Sequence, residues 1–446
     1  MSPNVPCLRC APGNGVRRGV LSNNNKSDDM NHPSSTLYVL LAAGLGASLA
    51  QAEPGFLEDS SATLQARTYY FSRDFSGIRG PEQSKAEEWA QGFILAFRSG
   101  FTPGLVGFGL DAVGTLGIKL DSSPSRVNTG LLPVHEDGRA ADDYSRLGVA
   151  AKMRLSRTEL KVGELQPNLP VLVFSDIRLL PPSYQGASLT STEIDGLTLQ
   201  GGRLTGTHLR NEAGDDKLQA MLGHKPQRQA RSDAFNYAGA DYAFNGKQTT
   251  ASLWYAQLED LYRQHFLGLK HSEPMGDWVL GANLGYFGAT EDGKRLIGAL
   301  DNRAFFSLLS ARQGGHTLYV GYQAMYGDSP FPRVFANVSP LGNEVPTYEF
   351  AYTDERSWQL RYDYDFAALG VPGLVASARY ISGRNVDTGQ GYEGKDRERD
   401  LDLGYVVQGG VLKGLGVRVR NVMARSNYRT DIDENRLVLS YTWTLF

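Results

Sequence analysis

The chain has 446 residues, and its 48 acidic and 45 basic side chains give a formal net charge of -3. This near balance excludes nucleic-acid binding as the main activity, because proteins of that class carry a clear excess of Lys and Arg. Glycine (51 residues) is abundant and tyrosine (22) outnumbers phenylalanine (19) and tryptophan (5), a mix that favours strands with interfacial aromatic residues over helices.

An export signal lies near the amino terminus. The apolar stretch LYVLLAAGLGASLA at 37–50 suits the core of a signal peptide and is too short for a membrane-spanning helix, which needs ~20 residues. Ala-Gln-Ala at 50–52 matches the small-x-small cleavage pattern. We therefore expect the mature chain to begin at Glu53 and to contain 394 of the 446 residues.

The start of translation has two interpretations. Met30 begins a typical signal peptide over 30–52, which lacks Lys and Arg before its apolar core. Residues 1–29 are a polar extension, rich in Gly, Pro and Asn and without periodicity, so we favour a mis-assigned start. The alternative is that 1–29 form a long charged region of the signal.

The two cysteines of the sequence, Cys7 and Cys10, both precede the predicted signal peptide. Their CxxC spacing is weak evidence for a metal or redox site, because a zinc site needs further ligands. The mature chain would contain no cysteine, and we expect no cofactor and no metal.

Residues 53–446 alternate apolar and polar side chains, segment after segment, which predicts β-strands with two unlike faces. In WQLRYDYDF at 358–366, aromatic and aliphatic residues share one face, opposite Gln359, Arg361 and two aspartates. No segment of the mature chain approaches a transmembrane helix, so a membrane location requires a closed barrel. At about 22 residues per strand and connection, the length predicts one all-β domain, a transmembrane antiparallel β-barrel of about 18 strands.

The connections and the carboxyl terminus also fit this class. The longest polar stretches, near 211–232 and 327–353, are expected to be outward loops. The chain ends in RLVLSYTWTLF, with Phe446 terminal as in many outer-membrane barrels. Phe446 is nevertheless out of step with the apolar face formed by Leu437, Leu439 and their neighbours.

Several phrases resemble the OprD family of porins. GFLEDSSATLQARTYYFSRDF at 55–75 resembles the first strand of that family, and the stretch at 142–172 resembles the strands before its constriction loop. The phrases AQLEDLYRQHF and GYQAMYGDSPF extend the resemblance over essentially the whole mature chain. It implies a narrow, substrate-selective pore for carboxylate-bearing nutrients in the Gram-negative outer membrane, with an infolded constriction loop. PVLVFSDIRLLPPSYQG at 170–186 looks more like the aromatic and organic-acid group than the basic-amino-acid group.

The implied partners are small-molecule carboxylates, outer-membrane lipid and lipopolysaccharide, and the barrel assembly machinery. Nucleic acid is not among them. The family resemblance implies a monomeric pore, and we expect a monomer or a weak oligomer.

Basic residues on the polar faces of the strands are candidate sites for carboxylates, because Arg is permanently charged and binds them bidentately. Arg418 and Arg420, two apart on one strand, form the clearest pair. The predicted substrate-binding set is Arg73, Lys152, Arg154, Arg361, Arg379, Arg418 and Arg420. By resemblance, Arg73, Arg418 and Arg420 match the family's basic ladder. The alternative is that such arginines only brace the wall by pairing with acids such as Asp363.

Asp176 and Arg178 lie in SDIRLLPP, which resembles the infolded loop that narrows the pore. A mutually satisfied pair that braces the loop and a contact with substrate are both consistent with this pattern.

Other classes fit the sequence less well. An outer-membrane barrel enzyme would need a nucleophile and a base close together, and the histidines are scattered outside any catalytic phrase. A metal receptor would need a plug domain, for which strand patterning from Leu64 leaves no room. A soluble β-sandwich also alternates, and solubility of the mature chain without detergent would favour it.

The export signal generates the first prediction. The protein purified from outer membranes should begin at Glu53, because cleavage follows the Ala-Gln-Ala pattern. Amino-terminal sequencing or mass spectrometry of the intact protein tests this, and a mature chain that retains Met1 would contradict it.

Overall fold

The computed structural model describes residues 55–77, 83–223 and 225–446. The predicted extension (1–29) with its two cysteines and the predicted signal peptide (30–52) lie outside these residues. In the described part of the chain there are 21 strands and one 3₁₀ turn, Phe366–Leu369. No helix in that part is both long and apolar enough to cross a membrane.

Eighteen of the described strands form one antiparallel sheet that closes when β21 pairs with β1. This confirms the predicted barrel and its strand number. The barrel strands are β1 Ser61–Ser76, β2 Lys85–Arg98, β3 Val106–Asp121, β4 Asp143–Leu155, β5 Thr158–Leu165, β6 Ser183–Ser191, β7 Leu197–His208, β10 Phe235–Phe244, β11 Thr249–Leu258, β12 Tyr262–Met275, β13 Trp278–Glu291, β14 Asp301–Gln313, β15 His316–Tyr326, β17 Arg356–Asp365, β18 Leu374–Asp387, β19 Glu393–Val406, β20 Gly416–Ser426 and β21 Asp431–Thr444.

The wall has an apolar outer face and a polar inner face. On β17, Trp358 and Leu360 are 47% and 46% exposed and point outwards. Gln359 and Arg361, between and after them, are 1% and 5% exposed and point into the barrel. This inverts the arrangement of a soluble protein and is typical of a barrel whose outside contacts lipid. It also explains how a chain of modest hydrophobicity can occupy a membrane.

The two ends of the barrel differ. At the end of the barrel where β1 begins and β21 ends, turns are as short as two residues, for example 156–157 and 314–315, whereas the opposite end carries the longest connections. Three short strands from these connections, β8 Leu218–Leu222, β9 Lys225–Ser232 and β16 Pro332–Val334, form a separate small sheet.

The connection between β15 and β17, residues 327–355, folds into the barrel, so the expectation of an outward loop at 327–353 is wrong. Its backbone N–H groups at Thr347 and Tyr348 donate hydrogen bonds to the Glu398 carboxylate of the inner wall. Glu398 is 51 residues away from Thr347 along the chain, and no local pattern in 327–353 indicates this contact. We call this segment the second inner loop.

The connection between β5 and β6, residues 166–182, also lies inside the barrel, and we call it the constriction loop. Leu179 packs over Gly92 of β2, where a Cβ atom would lie 3.0 Å from the Leu179 Cγ atom. Arg67 of β1 fastens the loop by donating to both carboxylate oxygens of Asp176, at 2.6 and 2.9 Å, and to the carbonyl oxygen of Arg178 at 2.7 Å. Removal of Arg67 would leave Asp176 without this partner.

Replacing Arg67 by Gln should loosen the constriction loop, because breaking a largely buried ion pair costs about 3–5 kcal/mol. We expect a higher mean single-channel conductance and more current noise in planar bilayers. Arg203→Gln is the matched control, since Arg203 pairs with Glu259 on the outer face at 2.6 Å. If both variants conduct like the parent protein, Arg67 does not hold the constriction.

Candidate functional site

The two inner loops meet and narrow the lumen. Val173 of the constriction loop forms an antiparallel bridge with Val338 of the second inner loop. The constriction loop is fastened to β1 through Arg67 and Asp176, and the second inner loop is fastened to β19 through Glu398. Solutes that cross the barrel must therefore move between these two loops and the part of the inner wall that the loops do not cover.

Three guanidinium groups surround one aromatic ring at this level. The Cζ atoms of Arg73, Arg178 and Arg436 lie 4.8, 4.8 and 4.7 Å from the centre of the Phe71 ring. Phe71 itself is fully buried. Each contact is within the range of a cation–π interaction, which holds the three positive charges close together without neutralising them.

The cluster contains more positive than negative charge. Arg73 and Arg436 share the buried carboxylate of Glu434, which the Arg73 Nε atom contacts at 2.7 Å. No described carboxylate lies within ion-pair distance of Arg178. Burial and the positive charges of Arg436 and Arg73 hold the pKa of the Arg178 guanidinium well below its ordinary value. An anion at this place would relieve that cost.

The predicted pair Arg418 and Arg420 lies beside this cluster. Both side chains bind the single carboxylate of Asp402, with Nε–O distances of 2.8 and 2.6 Å. Arg420 is directly opposite Arg436 in the pairing of β20 with β21. Like charges opposite each other destabilise a sheet, so this register favours a bound anion.

Arg361 and Arg379 continue the basic wall on β17 and β18, where they are also directly opposite each other. Each has an acidic partner: Arg361 binds Asp363 at 2.5 Å and Arg379 binds Asp400 at 2.7 Å. Arg379 also donates to the Glu344 carbonyl oxygen of the second inner loop at 2.8 Å. These contacts fit a bracing role as well as contact with an anion.

Lys152 and Arg154 lie apart from the cluster, on β4. Lys152 binds Asp111 at 2.6 Å and the carbonyl oxygen of Ser99 at 2.7 Å. Arg154 lies 4.0 Å from the centre of the Phe101 ring. Ser99 and Phe101 belong to the turn between β2 and β3, at the end of the barrel where β1 begins and β21 ends. The structure does not bring these two predicted residues to the constriction.

Two contacts differ from the sequence interpretation. Asp176 pairs with Arg67 and not with Arg178, which leaves Arg178 directed at the Phe71 ring. Arg436 was not among the predicted site residues, although it lies on the polar face of the last strand, opposite the face that contains Leu437. The alternation of that strand was a sufficient signal for an inward arginine.

One acidic residue of the second inner loop is unusual. Burial and the negative charge of Glu349 raise the pKa of the Glu344 carboxyl to about 8. The residue as a whole is partly exposed to the lumen, and it is the desolvation of the carboxyl group itself, inside the barrel, that raises the pKa. At neutral pH this carboxyl group is therefore mainly uncharged, and the lumen keeps its positive excess.

Comparisons with known proteins agree with this geometry. The family model described as "outer membrane porin, OprD family" matches residues 54–445. The chain is 45% identical to the porin-like protein GalP of Pseudomonas putida, over 92% of this chain and 99% of that protein. It is 37% identical to Porin D of Pseudomonas aeruginosa, over 87% of this chain and 91% of that protein.

Solved structures from Pseudomonas aeruginosa are also similar. OccK9 (OpdG) is 51% identical with a TM-score of 0.85, over 88% of this chain and 100% of that one. OpdK with vanillate is 48% identical with a TM-score of 0.83, over 87% and 100%. OccK2 (OpdF) in complex with glucuronate is 44% identical with a TM-score of 0.79, over 88% and 98%.

Glu344 generates a prediction about pH. A carboxyl group whose pKa is about 8 is neutral below that pH and gains a negative charge above it. One added charge at ~10 Å in a wet lumen should lower anion current roughly two- to fourfold between pH 7 and 9. Reversal potentials and conductance in planar bilayers measure this. In Glu344→Gln the response should disappear, and an unchanged response there would assign the titration to another group.

Proposed function

Because the chain belongs to the OprD family of outer membrane porins, and is thus an outer-membrane channel protein and not an enzyme, we propose that it conducts small carboxylate-bearing solutes selectively and passively, with aromatic and organic acids favoured. The observation that carries this proposal is the guanidinium cluster around Phe71, in which Arg178 has no carboxylate partner among the described residues. The other basic residues of the inner wall, Arg361, Arg379, Arg418 and Arg420, supply the rest of the path for the anion.

A carboxylate that leaves water needs donors in place of its hydration shell, and a guanidinium offers two parallel N–H donors. Arg436 and Arg420 face each other across β20 and β21, and Arg418 lies two residues before Arg420 on β20. Residues two apart on a strand are separated by ~6.6 Å, so an anion can exchange one guanidinium for the next. Sharing of Asp402 and Glu434 weakens each site, which permits release.

The relatives support the substrate class. The structure of OpdK holds vanillate and that of OccK2 holds glucuronate, and both ligands are small carboxylates. The chain is more similar to these two proteins than to Porin D. Vanillate also carries an aromatic ring, which a guanidinium can contact by stacking.

The alternative within the family is a channel for basic amino acids or peptides. Such a substrate needs a free carboxylate at the constriction. Glu434 and Asp402 are each already bound by two arginines, and Glu344 is mainly uncharged at neutral pH because its pKa is about 8. These three acids therefore favour acidic over basic solutes.

Replacing Arg418 and Arg420 by Gln and Asp402 by Asn should preserve the barrel, because the triple variant leaves no unpaired charge behind. Permeation of benzoate or glucuronate should fall roughly tenfold, the size expected for lost charge-assisted hydrogen bonds. The loss should be largest at ~0.01 M salt, where the Debye length is ~30 Å. Uptake of a neutral sugar into liposomes is the reference.

The single variant Asp402→Asn is the matched control, since it removes the shared counter-charge and keeps both arginines. It should raise anion selectivity. If the triple variant folds and discriminates among solutes like the parent protein, the two arginines brace the wall and do not carry substrate.

A further inference from the structure

Strand β19 sorts its charges by sign. Over 395–400, the sequence KDRERD points its three cations outwards and its three acids inwards. The acids Asp396, Glu398 and Asp400 are buried, and they bind groups inside the barrel. Transport through the lumen makes no use of the outward cations. Their presence on the outer face requires a separate explanation.

Neighbouring strands add arginines to the same outer surface. The outer arginine patch consists of outward-facing residues on four consecutive strands, β17 to β20: Arg356, Arg384, Arg397, Arg399 and Arg425. A chain with a net charge of -3 has thus concentrated five arginines, next to Lys395, on one part of its outer wall.

The register of the sheet places like charges directly opposite each other in this patch. Arg356 is opposite Arg384 in the pairing of β17 with β18, and Arg397 is opposite Arg425 in the pairing of β19 with β20. Such cross-strand pairs destabilise a sheet. A multivalent anion bound between the two arginines of such a pair would replace their repulsion by a net attraction.

Protein groups compensate only part of the patch. Arg425 binds Asp433 at 2.8 Å, Arg399 donates to Asn421 at 2.6 Å, and the Arg356 guanidinium lies 5.1 Å from the centre of the Tyr326 ring. Arg384 and Arg397 are exposed, and neither has an ion pair or a side-chain hydrogen bond with any described residue. These two guanidinium groups are available to a ligand.

The patch lies at the boundary between lipid and water. Towards the middle of the barrel the outward face becomes aromatic and aliphatic. Trp358 is the next outward residue after Arg356, and Tyr380 follows Arg384 and Ser382 on β18, with 5.6 Å between the two ring centres. Leu401 and Leu403 follow Arg399 on β19. Aromatic girdles mark the membrane interface of such barrels, and the long-loop end faces the outside of the cell. The patch is therefore level with the head groups of the outer leaflet.

The outer face on the other side of the barrel differs at the same level. There Arg203 of β7 binds Glu259 at 2.6 Å and Asn236 at 2.9 Å, and Arg263 of β12 donates to Thr290 at 3.0 Å. These arginines have protein partners and are not opposite one another. They provide a matched control for the charge change.

We propose that the outer arginine patch is a binding site for the phosphate groups of lipopolysaccharide. The lipid A part of that molecule places phosphates at the head-group level of the outer leaflet, with acyl chains that would lie against the apolar wall below. Charge complementarity, the unpartnered Arg384 and Arg397, and the girdle beneath them select a phosphorylated membrane lipid over a soluble anion.

The test uses the purified full-length barrel in a neutral detergent. The variant Arg384→Gln/Arg397→Gln is compared with the parent protein and with Arg203→Gln/Arg263→Gln. Binding of lipid A, of dephosphorylated lipid A with the same acyl chains, and of inorganic phosphate is followed by native mass spectrometry and by thermal unfolding. Channel conductance confirms that each variant is folded, since none of these residues faces the lumen.

The parent protein and the control variant should bind lipid A with an affinity at least about tenfold higher than that of the patch variant. Dephosphorylated lipid A should bind weakly to all three proteins. Without lipid, the patch variant should unfold at the same or a higher temperature than the parent, because like charges have been removed. With lipid A, only the parent and the control should gain stability.

Three results would overturn the proposal. Equal lipid A binding by the patch variant and the parent would show that the patch is not the site. Equal stabilisation by inorganic phosphate would assign the patch to a soluble anion. A dimer of the parent that is lost in the patch variant would assign it to a second copy of the chain.

Discussion

The closure of the sheet by β1 and β21 is the constraint on which the rest of the structure depends. In a lipid environment every backbone N–H and C=O group of the wall must find a partner, and a sheet satisfies this only when it has no edge. Closure gives each strand one face towards lipid and one towards water, with side chains that alternate between them. The wet interior, the charged residues on its surface and the space for two inner loops all follow from this geometry.

Pairs of arginines directly opposite each other on neighbouring strands occur on both faces of the wall. Inside, Arg420 faces Arg436 and Arg361 faces Arg379, and each of these four arginines has a carboxylate partner: Asp402, Glu434, Asp363 and Asp400, respectively. Outside, Arg356 faces Arg384 with less compensation. A cross-strand pair of this kind costs stability when it is empty, so its presence in a β-sheet is a local indication of an anion. The position on the inner or outer face then distinguishes a solute from a lipid.

The strands could be predicted from the sequence because their pattern is local. The alternation in WQLRYDYDF and RLVLSYTWTLF assigned the inner and outer faces correctly, and the count of about 18 strands is confirmed. The inner loops could not be predicted in the same way. Arg67 and Asp176 are 109 residues apart and Thr347 and Glu434 are 87 apart, so these contacts exist only after the barrel has brought distant strands together. The same limit applies to Arg178: the sequence places it two residues from Asp176, whereas in the barrel Asp176 pairs with Arg67 and Arg178 lies against the Phe71 ring.

The location of Glu434 and Arg436 on the last strand has a consequence for the order of assembly. Both residues contact the second inner loop: Glu434 accepts a hydrogen bond from Thr347 at 3.0 Å, and Arg436 donates to the Pro346 carbonyl oxygen at 3.1 Å. Both also contact β1 groups, Arg73 and the Phe71 ring. The arginine cluster is therefore completed at the seam, in the same step that joins the first strand to the last. A barrel inserted in the membrane before β1 and β21 pair would lack the complete arginine cluster. Selectivity would therefore arise only in the step that closes the sheet.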